Sequence, residues 1–119
     1  MTTLSMVIVA ASMMLPMPRM APEYPPTWRM LVKIAQCEQP GGGWKGIAWH
    51  QTKNYSFYGG MGMTQGNWDS FKRKGQPKYM HKATIKEQLW GAHRLAMWVK
   101  KEYGNPWLAW DCYTKGNLE

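Results

Sequence analysis

The chain has 119 residues, enough for one domain with a modest core, and a formal net charge of +8. Eight Trp and six Tyr are many for that length, and rings in such number suit a dense core or a groove that stacks on flat ligands such as sugars. The Lys/Arg excess points to an anionic partner. Heptads, a basic helical arm, zinc-finger spacing and the RNA-binding aromatic signature are all missing, so that partner is not expected to be nucleic acid.

In chain order, "LSMVIVAASMML" at residues 4–15 is mostly apolar. It is too short to span a bilayer and fits the apolar core of a signal peptide better. No Lys or Arg precedes it, which leaves a buried or unstructured leader as the alternative. Pro16, Pro18, Pro22, Pro25 and Pro26 then read as an extended linker. The expected organisation is a leader and linker over residues 1–27 and a folded domain over 28–119. Trp28, Leu31, Val32 and Ala35 follow the spacing of a helix that buries one face. Pro40 and the glycines 41–43 stop it, leaving Cys37 and Glu38 in its last turn.

The stretch "WKGIAWHQTKNYSFYGG" lacks a helical period and is expected to form a loop or short hairpin. Thr64 is placed to cap a short helix that buries Trp68 and Phe71 and ends at Gly75. "TIKE", with Thr84 and Glu87, is a capping box. Ile85, Leu89, Ala92, Ala96 and Val99 hold a helical stripe behind it, and "GNP" at 104–106 stops the helix after Lys100 and Lys101. The fold class read from this pattern is α+β, mostly helical.

Cys37 and Cys112 are the only cysteines. In an exported protein such a pair is most simply a disulfide, and in a cytosolic one it is two thiols. Of the carboxylates, Glu87 is accounted for by the cap, Glu102 by an exposed helix end, and Asp69 by a helix surface. Asp111 reads as a local partner beside Cys112. Glu38 stands at a helix C-terminus, where the dipole disfavours a negative charge by about 0.3–1 kcal/mol. Shielding by Trp44 would also favour its protonated form, the form that donates a proton to a glycosidic oxygen. Spacing alone does not separate that role from a solvated glutamate. His50 lies in the glycine–aromatic loop, where it can meet a ligand, and His93 reads as a helix residue. His50, His81 and His93 lack metal-ligand spacing, and no cofactor or metal is expected.

The ordered set "IAQCE", Trp44, "FYGGMGMTQGNW", "ATIKEQ" and "WLAWDC" resembles the transglycosylase-like domain of actinobacterial resuscitation-promoting factors, a module also found in mycobacteriophage lysins and tail proteins. The resemblance covers roughly residues 29–114. It implies a compact lysozyme-like fold and cleavage of the β-1,4 bond between N-acetylmuramic acid and N-acetylglucosamine in peptidoglycan. It also implies that Glu38 is the catalytic acid and that Cys37 pairs with Cys112. On the same ground Gly59 and Gly60, next to Tyr58, match a turn that lines the cleft, Trp68 matches a motif Trp, and Trp44, Gln88 and Trp110 fall on packing or cleft-wall positions. With His50 added from its place in the loop, the expected substrate-binding residues are Trp44, His50, Tyr58, Gly59, Gly60 and Trp68.

Departures from the family pattern are Gly62 in place of a glutamine, Asp111 in place of a proline, an added residue at Pro40, and "WHQTKNYSF" in place of the usual loop. The expectation is a monomeric, secreted, wall-associated or virion-borne peptidoglycan glycosidase, with glycan strands as substrate and anionic wall polymers attracted by charge. Two alternatives stand beside it: a non-catalytic wall-binding or tail protein, and a cationic membrane-active protein that uses its leader.

Overall fold

The computed structural model describes residues 23–38, 47–53 and 57–116. In order these form α1 (Trp28–Glu38), a hairpin of β1 (Thr52–Lys53) and β2 (Phe57–Tyr58), α2 (Gln65–Phe71), a 3₁₀ turn (Met80–Lys82), the long α3 (Ile85–Tyr103), a second 3₁₀ turn (Pro106–Ala109) and α4 (Asp111–Thr114). Among the described residues the fold is mostly helical with one small antiparallel pair, Thr52 opposite Tyr58 and Lys53 opposite Phe57. The apolar leader, Pro40, the glycines 41–43 and Trp44 lie outside the described residues.

Helix α1 buries the expected stripe of Leu31, Val32 and Ala35, with Ile34 added to it. Packing reaches ahead of Trp28. Pro25 is fully buried, its carbonyl accepts the Trp28 N–H at 3.0 Å, and Thr27 Oγ1 bonds His93 Nδ1 at 2.8 Å. Pro25 thus packs with the folded unit, while Pro26 is exposed.

Thr64 caps α2 as expected, its hydroxyl accepting the Asn67 N–H. The helix ends at Phe71 rather than at Gly75. Lys72 turns to extended backbone, and the Arg73 N–H is taken by the Gln76 side chain at 2.8 Å. A side-chain acceptor that competes for a backbone donor closes a turn in place of another helical one.

Both bonds of the capping box at Thr84 and Glu87 are present. At its other end α3 stops on Gly104, whose φ of 87° is left-handed and whose N–H bonds Lys100 O at 2.8 Å; a glycine takes this conformation without a Cβ penalty.

The core lies where α3 meets α1, α2 and the second 3₁₀ turn. Leu31, Ile34, Ala35, Met61, Trp68, Met80, Leu89, Ala92 and Ala96 are all fully buried there. Burying each large apolar side chain contributes roughly 1.5–3 kcal/mol before conformational entropy is counted. Among the described residues, no helix is long and apolar enough to cross a membrane.

Candidate active site

Glu38 is the last residue of α1, and its side chain is half-buried. Its neighbour Cys37 forms a disulfide with Cys112, the Cα atoms 6.1 Å apart. The Cys112 backbone N–H, in the first turn of α4, donates to Glu38 Oε2 at 3.0 Å. A covalent bond and a hydrogen bond therefore join the same two helix ends, and together they fix where the carboxyl group points. The cysteine pair, left open between disulfide and thiols by the sequence, is a disulfide.

A second candidate element is the turn after β2. Tyr58 and Met63 exchange both backbone hydrogen bonds, at 3.0 and 3.2 Å, closing residues 59–62 into a tight loop. Gln88, fully buried on α3, pins that loop. Its Oε1 accepts the Gly60 N–H at 2.9 Å, while its Nε2 donates to Trp49 O at 2.8 Å and Ala83 O at 3.1 Å. A Cβ on Gly59 would collide with this amide, and one on Gly60 would collide with the Trp49 ring. Gly59 also has a φ of 71°, so both close approach and backbone conformation demand glycine there.

Trp110 links this turn to the disulfide corner. It lies two residues before Cys112, is buried, and donates from Nε1 to Met61 O at 3.0 Å. The loop is thereby tied to the segment that orients Glu38.

Beside the loop stands a group of rings that the sequence reading had only in part. Tyr58 stacks on His81, with centroids 5.7 Å apart and planes 18° from parallel, and on Tyr79 at 5.9 Å. Tyr79 is 39% exposed and carries the Lys78 ammonium 5.4 Å from its centroid. His50, itself exposed, uses Nδ1 to meet His81 O at 3.0 Å. Burial lowers the His81 pKa from its ordinary value, and the charges of Lys82 and His50 lower it further. A neutral imidazole and two phenols, stacked and partly open to solvent, offer flat faces of the kind that sugars pack against. Tyr79 and His81 were not singled out in the sequence. The signal was "KYMHK", two rings flanking Met80, which is fully buried and so directs both neighbours outward.

The other expected site residues divide clearly. Tyr58 and His50 belong to the ring group, and Gly59 and Gly60 form the pinned loop. Trp68 is not at a surface: it is fully buried, its ring lies against Gly91, and its Nε1 donates to Pro77 O at 3.0 Å. The expectation that it binds substrate is replaced by a core role, because the bare Cα of Gly91 opens a slot for its ring between α2 and α3. Gly62 has a φ of 60° with open space where a side chain would begin.

Asp69 is exposed near Lys72, with 4.0 Å between charged atoms, and accepts from Gln65. Asp111 is exposed near Lys115 at 3.9 Å. His93 is half-buried against Thr27, and burial and then Arg94 lower its pKa. Among the described residues, no three His, Cys, Asp or Glu side chains gather in a way that could hold a metal ion. Comparison with family models, with curated proteins and with solved structures returned no match to this chain.

Proposed function

We propose that the chain is a lysozyme-like peptidoglycan glycosidase that cleaves the β-1,4 bond between N-acetylmuramic acid and N-acetylglucosamine, with Glu38 as its general acid. The observation that carries the reading is the fixing of Glu38 at a helix end, half-buried beside the disulfide and hydrogen-bonded to the Cys112 N–H. As general acid, Glu38 carries a proton on its carboxyl group. That proton passes to the glycosidic oxygen as the bond from C1 to oxygen breaks.

Asp69 and Asp111 are exposed and each pairs with a lysine at the end of its own helix, which favours a route that needs one carboxylate. In that route the muramyl 6-hydroxyl attacks C1 and returns its proton to Glu38, leaving a 1,6-anhydro end. Tyr58, Tyr79, His81 and His50 supply the ring faces on which the glycan lies, and the loop of Gly59 and Gly60 lets the chain approach. The enzyme acts as a monomer outside the cell or on a virion. Its +8 charge concentrates it on anionic wall polymers, an attraction that added salt weakens.

The test is Glu38→Gln, confirmed folded and disulfide-bonded, assayed for clearing of purified cell walls. We expect a loss of at least about a hundredfold. Full activity in this variant refutes the assignment. Mass spectrometry of the fragments released by the unaltered protein decides the product: anhydro ends mean a lytic transglycosylase, and reducing ends mean a hydrolase. Binding to insoluble walls without fragment release means a wall-binding protein, the second reading, which the loss of a polar side chain at Gly62 favours.

A further inference from the structure

A second concavity, of about 410 Å³, is lined by Arg73, Gln76, Lys86, Glu87, Trp90 and Arg94. None of these residues belongs to the loop, the ring group or the disulfide corner that make up the site above. Its volume falls within the range of small-ligand sites, about 300–1,000 Å³. Three cations meet one carboxylate there, and that carboxylate is already engaged: Glu87 Oε1 accepts the Thr84 N–H at 2.9 Å.

One of the three cations is held in place. Arg94 is anchored through its Nε, which donates to Phe71 O. Arg73 sits on the turn that Gln76 closes through the Arg73 N–H. Lys86 projects from the first turn of α3. Burial and the nearby Arg73 both act against the charge on Arg94. An oxyanion in the cavity supplies a countercharge to all three cations. Trp90 adds an apolar wall, its ring oriented by the bond from Nε1 to Glu23 O at 3.3 Å.

We infer that the cavity bounded by Arg73, Lys86, Arg94 and Trp90 is a binding site for a sugar phosphate, the phosphate held by the three cations and the sugar lying on the tryptophan. This inference is independent of the glycosidase reading and survives its failure.

The experiment is an NMR titration of the isotope-labelled full chain at constant ionic strength with glucose 1-phosphate, inorganic phosphate and glucose. We expect saturable shifts centred on the Trp90 indole and the Arg94 Nε–H signals, tightest for glucose 1-phosphate. Arg73→Gln combined with Lys86→Gln, both exposed positions, weakens binding at least about tenfold. Lys100→Gln with Lys101→Gln removes the same charge from the far end of α3 and changes it by less than about twofold. The inference is overturned if shifts do not saturate, or if the two double variants weaken binding equally. It is also overturned if inorganic phosphate or glucose binds as tightly as glucose 1-phosphate.

Discussion

Replacing Gln88 by Leu tests whether one buried amide holds the glycine loop. Leu has a similar size and shape, so the substitution removes polar contacts while largely preserving volume. Three hydrogen bonds disappear, to Gly60 N, Trp49 O and Ala83 O, and the new side chain replaces none of them. At about 1 kcal/mol for each buried bond the loss comes to about 3 kcal/mol. For a domain of this size that lowers the melting temperature by roughly 12–24 °C. Gln88→Glu is expected to fall at least as far at neutral pH. A carboxylate still accepts from Gly60, but it cannot donate to the two carbonyls, and it brings a charge into a fully buried position. Urea denaturation gives the free energy, and amide hydrogen exchange at Gly60 localises the change. A loss below about 1 kcal/mol in Gln88→Leu, or unchanged protection of Gly60, refutes the pinning argument.

Gly91→Ala reverses the usual sign of such a change. Ala is favoured over Gly inside a helix by about 1 kcal/mol, but here the new Cβ would stand 2.7 Å from Trp68 Cζ3. The ring is fully buried and held at Pro77, so overpacking of about 1–3 kcal/mol dominates; a higher melting temperature in the variant contradicts this. Cys37→Ser with Cys112→Ser opens a loop of 75 residues, and chain entropy predicts a loss of roughly 4 kcal/mol, to be read by calorimetry against the oxidised protein. Thermal stability is also expected to fall on acidification. The pKa of both His81 and His93 is lowered from 6.5, so below that value the unfolded chain binds more protons than the folded one. Their contribution is complete above pH 6.5 and is lost as pH falls through the folded values. His93→Gln should flatten the slope of melting temperature against pH between about 7.5 and 5.5, and an unchanged slope would exclude His93 from this linkage.

The helices of this protein are legible in its sequence because their determinants are local. The spacing of Leu31, Val32 and Ala35, the reciprocal cap of Thr84 and Glu87, and Gly104 at a helix end each act within a few residues. The end of α2 is less legible because Gln76, not Gly75, decides it: a side chain captures the Arg73 N–H. Glu38 and its cysteine could be singled out as a pair from their position, but what orients the carboxylate is the N–H of Cys112, 74 residues away.

Distance along the chain likewise hid the roles of the aromatic residues. Trp68 and Tyr79 read alike as rings in polar surroundings. Folding puts the first against Gly91 in the core and sets the second 39% exposed beside Tyr58 and His81. Which ring is buried depends on the partner across the helix interface, a contact that no local pattern encodes. Local pattern accounts for α1, the capped start of α2, both ends of α3, the basic charge and the choice of Glu38 as candidate acid. Tertiary packing decided the disulfide, the pinned loop, the ring group and the cationic cavity, because each is built from residues that meet only once the helices are packed.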